Sequence, residues 1–242
     1  MEPRWTTREP KELLVHDAPY DCPYLPGRKA RLPMRLPFRT LSPAELDARL
    51  GEGDRRHGPF LYRPSCDECT ACEAIRIPVA ELRSRRAHRR VLAKGDAVFA
   101  VELGRPTVDD ARIALYAKHK TERHLSSGDV GELDWRGYEG FLVDRCTPAL
   151  EMRYWDGERL AAVAIVDRGS VALSAVYCLW DPDYESLSLG TYSILKQVEL
   201  CRRLGVPLLY LGLYVAENPH MSYKGRFRPH ERLIDGQWRR FD

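Results

Sequence analysis

The chain has 242 residues, 38 Lys and Arg against 35 Asp and Glu, a formal net charge of +3, and is 44% hydrophobic and 30% charged. That composition excludes a disordered or fibrous chain and allows one large domain or two small ones, each able to bury a core. No run approaches the roughly 18 uninterrupted apolar residues of a bilayer span, and residues 1–10 lack the apolar stretch of a secretory signal. No membrane partner is expected, and the cytoplasm is the expected compartment. Thiols stay reduced there, so the seven cysteines point to metal or redox chemistry rather than to disulfides. The charge is uneven. Residues 1–95 hold 19 basic against 13 acidic side chains and the remainder 19 against 22, and a basic front permits a polyanionic partner.

Residues 20–37 are rich in Pro and Arg, which forbids a helix and predicts an extended loop or edge segment. Ser42-Pro43-Ala44-Glu45 combines an N-cap Ser, an N1 Pro and an N3 Glu, and predicts a short helix ending near Gly51. Residues 60–63 and 75–79 read as strands bracketing a cysteine-rich turn. A boundary is expected between residues 83 and 95, and a strand over 96–103. Thr107 with Asp110 resembles a second capping box, opening a helix through roughly Arg123. A further helix is expected over 135–144. Strands follow over 150–155, 159–166 and 170–179, separated by the turn signals Asp156-Gly157 and Arg168-Gly169. Residues 189–204 carry Tyr192, Leu195, Val198 and Cys201 at three-residue spacing, a helix face stopped by Gly205. Residues 207–213 read as a buried strand. Antiparallel strands followed by one strand–helix–strand crossover make an α+β arrangement, an order also expected of an acyltransferase fold of the GNAT type.

The sharpest motif is Cys66-Asp67-Glu68-Cys69-Thr70-Ala71-Cys72. Three thiolates at this spacing suit zinc or an iron–sulfur cluster, and Cys22 is the natural fourth ligand; reduced structural thiols are the alternative. Cys146, Cys178 and Cys201 read as small core residues. Arg76, Arg83, Arg85, Arg86, Arg89, Arg90 and Lys94 face a single acid, Glu81, a density that suits a phosphate backbone, with a solvated helix face as the alternative. His124 closes the second capped helix, as a general base or a dipole partner. The turn around Gly190 offers N–H groups to an anion or oxyanion. Its single Gly counts against a CoA pyrophosphate, so no CoA is expected. The run 221–231 interleaves cations with aromatics, suiting phosphates, carboxylates or stacked bases, or simply forming a charged loop.

Taken in order, Cys22-Pro23-Tyr24-Leu25-Pro26, Tyr62-Arg63-Pro64-Ser65-Cys66 through Cys72 with Ile75-Arg76, Tyr116 through Arg123-His124, Ser188-Leu189-Gly190-Thr191-Tyr192, Tyr210-Leu211-Gly212 and Met221-Ser222-Tyr223-Lys224 resemble the aminoacyl-tRNA–protein transferase family, and more closely its bacterial aspartate/glutamate leucyltransferase branch. The resemblance implies transfer of an aminoacyl group from charged tRNA to the N-terminal amine of a protein, marking that protein for degradation. Leucyl-tRNA and acceptors beginning with Asp or Glu are implied by the bacterial branch, and a monomer is expected. It also implies a small N-terminal cysteine-motif domain over residues 1–90 and a GNAT-like domain over residues 91–242 with a mixed, mainly antiparallel sheet. In eukaryotic relatives the cysteine motif is associated with an iron–sulfur cluster. One stretch departs from the family pattern: Asn218 and His220 stand where Cys and Lys are usual, and Leu213 where an aromatic is common.

The chemistry so implied is aminolysis of an activated ester. The acceptor amine has a pKa near 8 in water, so a modest base suffices. His124 or Tyr223 is expected to relay the proton, and the Gly190 backbone to stabilise the oxyanion. Arg123, Lys224 and Arg226 are the expected cations for an acidic acceptor, with Glu217 and Asn218 at the aminoacyl pocket. Leucyl transfer needs an apolar pocket; arginyl transfer needs an acidic one, for which Glu217, Asp181 or Asp183 would serve. Arg76, Arg85, Arg86 and Arg89 are expected to meet tRNA. Two rival readings remain open, an RNA-binding module with a structural zinc turn and a CoA-dependent N-acetyltransferase.

Overall fold

The computed structural model describes residues 2–123 and 134–242, so His124 lies outside the described residues. In chain order the strands are β1 (Arg4–Trp5), β2 (Glu12–His16), β3 (Tyr20–Asp21), β4 (Lys29–Ala30), β5 (Met34–Pro37), β6 (Arg55–His57), β7 (Phe60–Tyr62), β8 (Glu73–Pro78), β9 (Ala100–Gly104), β10 (Ala149–Asp156), β11 (Arg159–Arg168), β12 (Ala172–Trp180), β13 (Leu208–Tyr214), β14 (His230–Ile234) and β15 (Gln237–Phe241). The helices are α1 (Pro43–Gly51), α2 (Arg86–Asp96), α3 (Asp110–Glu122), α4 (Trp135–Tyr138), α5 (Leu189–Leu204) and α6 (Pro219–Ser222). A five-stranded sheet runs β1-β2-β5-β7-β6, and an eight-stranded sheet runs β15-β14-β8-β13-β12-β11-β10-β9. In the larger sheet only β12 and β13 pair in parallel, which makes the fold α+β with a mixed, mainly antiparallel sheet.

Local chemistry sets several of these elements. The capping box at Ser42 forms in both directions, Ser42 N donating to Glu45 Oε2 at 2.7 Å and Glu45 N to Ser42 Oγ at 3.3 Å. At α3 the cap is Asp109 rather than Thr107: its carboxylate takes the Arg112 N–H at 2.9 Å and also pairs with the Arg112 guanidinium. The meander β10-β11-β12 forms as the turn signals require. Strand β11 is buried on both faces. Ala162, Ala164 and Val166 point to the side covered by α5, and Val163 and Ile165 to the side covered by α3 and α4.

One expectation is corrected by packing. The expected strand over 96–103 starts only at Ala100, because α2 runs through Asp96. His88, Val91, Leu92 and Gly95 recur at helical spacing and turn inward. Gly95 lets α2 lie against α5, since a Cβ there would collide with the Tyr192 ring. The expected division at residues 90/91 lies within α2. Strand β8, on its N-terminal side, pairs with β13 and β14 inside the larger sheet.

The site is positioned by one topological event. β12 and β13 pair only at Ala172–Leu208, Leu173–Leu209 and Ser174–Tyr210, although both strands continue. Beyond that point they part. On its other side β13 carries a bulge between Tyr210 and Gly212 where it meets β8. Bulges of this kind bend a strand and re-aim its side chains.

Candidate active site

The gap between the splayed strands opens into a cleft of about 790 Å³. One wall is Ala175, Val176, Tyr177 and Cys178 of β12, the other Leu211 and Leu213 of β13. The start of α5 contributes Ser188 to Thr191 and then Ile194, and the far wall is Met221, Tyr223, Lys224 and Arg226. Arg55, Arg56 and His57 reach it from the smaller sheet, and His119, Lys120 and Arg123 from α3. Among the described residues Glu185 is the one carboxylate on its lining. Such a surface attracts anions and leaves a largely apolar wall beside them.

The cleft brings together Arg123, Gly190, Asn218, Tyr223, Lys224 and Arg226, residues scattered over a hundred positions of sequence. Lys224 Nζ donates to the Leu213 carbonyl at 2.7 Å. Burial, joined by the charge of Arg55, pushes this ammonium down to about 7. Tyr223 is raised to about 12, mainly by burial, so at neutral pH its hydroxyl keeps its proton. A Cβ built on Gly190 would stand 3.9 Å from Tyr223 Oη, so the hydroxyl faces the first turn of α5. There Thr191 and Tyr192 donate to Ser188 O, leaving the N–H groups of Leu189 and Gly190 without intrahelical acceptors. Ser188 holds this turn with φ 54, ψ 49, left-handed backbone that a non-glycine residue adopts at a cost.

Arg123 is set by residues absent from the sequence-based expectation. Its guanidinium lies over the Trp180 ring, 4.5 Å from the centroid, and Nη1 is 3.5 Å from His119 Nε2. His119 is 1% exposed, and burial lowers it to about 4, with the nearby charges of Arg123 and Lys120 acting the same way against the Trp180 backbone bond. It is therefore neutral near pH 7. Nδ1 lies between the Trp180 carbonyl at 2.9 Å and the Trp180 N–H at 3.0 Å, which fixes the ring and leaves Nε2 facing the Arg123 guanidinium. Arg55, Lys120 and Gln197 are likewise cleft residues that carry no sequence motif.

Other expected residues lie elsewhere. Glu217 is exposed and outside the cleft. Asp181 and Asp183 are held by Lys118 and Arg159, so none of the three makes the cleft acidic. Asn218 caps α6 by accepting His220 N at 2.9 Å, and its Nδ2 donates to Tyr24 O at 3.0 Å. Arg76, expected to meet tRNA, pairs with Glu231 at 2.6 Å, donates to Tyr210 Oη at 2.9 Å and lies 4.0 Å over the Trp238 ring. Its charge is answered inside the fold. Arg85, Arg86 and Arg89 are exposed on and before α2, away from the cleft. Cys146 and Cys201 are buried, whereas Cys178 is half-buried on the cleft wall.

Cys22, Cys66, Cys69 and Cys72 line one small cavity of about 20 Å³. Cys66 and Cys69 form a β-bridge. Leu25 N donates to Cys22 Sγ at 3.4 Å, Arg31 N to Cys66 Sγ at 3.4 Å and Arg28 Nη1 to Cys69 Sγ at 3.3 Å. Burial, then the three neighbouring thiols, raises Cys72 to about 12. Four soft donors with N–H groups aimed at sulfur fit a thiolate-bound metal in kind. In spacing they do not close one: among the described residues no group of three or more Cys, His, Asp or Glu stands in an arrangement that holds a metal ion.

Comparison with known proteins gives this geometry a family. The model of the arginine-tRNA-protein transferase N terminus matches residues 20–90, and that of the C terminus residues 111–234. An aspartate/glutamate leucyltransferase of Halorhodospira halophila is 40% identical over 223 residues, covering 91% of this chain and 93% of the relative. Those of Thiobacillus denitrificans and Acinetobacter baumannii are 37% and 35% identical over 224 residues, covering 91% and 93% of this chain and 91% and 82% of the relatives. Among solved structures, L-PGS from Bacillus licheniformis aligns with a TM-score of 0.45 at 8% identity, covering 60% of this chain and 47% of that chain, a likeness too slight to bear on function. With both halves matched and relatives at this identity along nine-tenths of its length, the chain belongs to the aminoacyl-tRNA–protein transferase family of enzymes, on the branch of the bacterial aspartate/glutamate leucyltransferases.

Proposed function

We propose that the chain transfers a leucyl group from charged tRNA to the N-terminal amine of proteins that begin with Asp or Glu, forming a peptide bond and marking them for degradation in the cytoplasm. The observation that carries this reading is the cleft between β12 and β13, whose polar side is cationic and whose other side is apolar. A leucyl side chain suits the apolar wall, and an acidic acceptor suits the cations. Arginyl transfer lacks its acidic pocket.

The chemistry asks little of the protein beyond alignment. The ester is already activated, and holding amine and carbonyl in register supplies roughly 7 kcal/mol or more. The acceptor amine attacks the ester carbonyl, the new C–N bond forms, and the tRNA 3′ oxygen leaves with a proton. Lys224 first, then Arg123 and Arg226, hold the acceptor carboxylate, as charge-assisted hydrogen bonds do best. Tyr223, protonated and beside Gly190, passes a proton toward the leaving oxygen, while the N–H groups at the start of α5 face the developing oxyanion. Arg85, Arg86 and Arg89 meet the tRNA backbone on α2. A strand meander closed by the β12–α5–β13 crossover supports an acyltransferase fold of the GNAT type; the proposed enzyme acts as a monomer and uses no CoA. Cys22, Cys66, Cys69 and Cys72 would hold zinc or an iron–sulfur cluster once their sulfurs draw closer than they stand here, and the bound group would fix the loop carrying Tyr24 against Asn218 at the cleft edge. Iron and zinc analysis after anaerobic purification tests that point, and absence of both removes it.

The reading as a whole is tested with labelled aminoacyl-tRNAs and peptides of varied first residue. Label passing from leucyl-tRNA to Asp- and Glu-initiated peptides, and not from acetyl-CoA, is the expected result. Label from arginyl-tRNA, label from acetyl-CoA, or none at all would each replace it with a different function.

A further inference from the structure

Arg55 belongs to the smaller sheet, yet its guanidinium crosses into the gap where β12 and β13 separate. Nη2 donates to Ala175 O, on β12, at 3.4 Å. The same group rests on β13, filling the space a Cβ would occupy at Gly212. Gly212 is required there twice over, by its φ of +85 and by that close approach. The next residue, Leu213, supplies the carbonyl that holds Lys224 Nζ at 2.7 Å. The bulge before Gly212 thus places a guanidinium and an ammonium on consecutive residues of one strand, both on the cleft lining. Within 4 Å neither has a carboxylate among the described residues.

Two like charges set side by side without a counter-ion repel one another, and burial makes this worse. The Lys224 ammonium is depressed first by its burial and then by the charge of Arg55. An anion entering between the two cations would relieve the repulsion. A carboxylate on one or two methylenes is slim enough to reach such a pair at the base of a strand gap and can take both groups at once, whereas a phosphodiester carries a nucleoside on each side.

We propose that Arg55 is a specificity-determining residue for the acceptor, forming with Lys224 a two-cation subsite that takes the side-chain carboxylate of an N-terminal Asp or Glu. This rests on the acceptor reading above. It adds that recognition is assembled across both sheets, with the smaller one supplying the planar, bidentate group.

Steady-state transfer from saturating leucyl-tRNA to Asp-, Glu- and Asn-initiated peptides tests this, with leucyl-tRNA affinity measured separately. Arg55→Ala is expected to raise KM for the Asp peptide on the order of tenfold to a hundredfold, as for removal of one charged hydrogen bond. The Asn peptide, leucyl-tRNA binding and kcat should stay within about threefold, and Arg55→Lys should recover part of the Asp KM. Arg55→Gln keeps a donor for Ala175 O and carries the same expectation should the Ala variant unfold. An unchanged Asp KM in folded Arg55→Ala or Arg55→Gln would overturn the proposal, as would equal losses on Asp and Asn peptides or a matching loss of leucyl-tRNA affinity. If the wild-type protein does not prefer Asp or Glu over Asn, the acceptor reading itself fails and takes the proposal with it.

Discussion

Arg55 and Arg56 are neighbours on β6 and both touch the cleft lining, yet their charges are answered differently. Arg56 is 5% exposed, lies 3.0 Å from Asp167, and also donates to the carbonyls of Gly58 and Asp144 at 3.2 Å. Arg55 has no carboxylate within reach among the described residues and looks into the cleft. The same contrast holds more widely. Under the smaller sheet Arg35 and Arg49 are matched by Glu12 and Asp54, with Arg35 to Asp54 at 2.7 Å and Arg49 to Glu12 at 2.6 Å. Among the described residues Lys224 meets the Leu213 carbonyl and the Met221 sulfur but no carboxylate. At these buried and half-buried positions, structural charge has its partner and the charge left bare faces the cleft. A bare buried cation costs stability, and the cost makes sense where a substrate provides the missing anion.

Removing a structural arginine should do the most damage. Arg56→Ala leaves Asp167, 2% exposed, as an unmatched buried charge and should destabilise the fold by about 3–5 kcal/mol in denaturant titration. A loss below about 1 kcal/mol, the size typical of an exposed pair, would erase the distinction between the two arginines. Lys224→Ala should do the reverse, sparing stability while lowering kcat/KM for Asp-initiated peptides by about 2 kcal/mol, roughly thirtyfold.

The same lysine sharpens the comparison through pH. Its folded value of about 7 lies below the unfolded value near 10.4, so between those limits the unfolded chain binds the extra proton. Stability contributed by this group therefore rises as pH climbs from about 7 toward 10, and the burial penalty is fully present below 7. Function runs the other way: the charged ammonium needed by the acceptor is lost above 7 as the acceptor amine becomes free near 8. The profile of kcat/KM should peak between about pH 7 and 8, and Lys224→Ala should abolish its alkaline fall. A profile identical in the variant would detach Lys224 from acceptor binding.

Two smaller effects probe the rest of the surface. Charge reversal of Arg85, Arg86 and Arg89 should weaken leucyl-tRNA binding and flatten its salt dependence, by about 0.9 in the log–log slope for each phosphate no longer neutralised, with peptide KM unaltered. Gly190→Ala should change transfer by less than about threefold, because its nearest neighbour would be Tyr223 Oη at 3.9 Å and the backbone N–H is kept. A loss above tenfold would mean that the space, rather than the N–H, matters there.

Local elements were legible from the chain because their causes are local. The Ser42 capping box, the meander turns and the stripe along α5 ending at Gly205 are written within a few residues of where they act. The cysteine spacing and the 221–224 motif were legible for the same reason, and six of the expected site residues do line one cleft. Helix α2 was hidden because its arginines dominate the segment, while its inward stripe matters only once Tyr192 is in place. The fate of each arginine was hidden for a deeper reason. Arg55, Arg56 and Arg76 are the same residue type in sequence; their roles depend on carboxylates 111 and 155 positions away or on none at all. Composition and spacing determined which charges this protein carries, but only the parting of β12 from β13 decided which of them would be left without a partner.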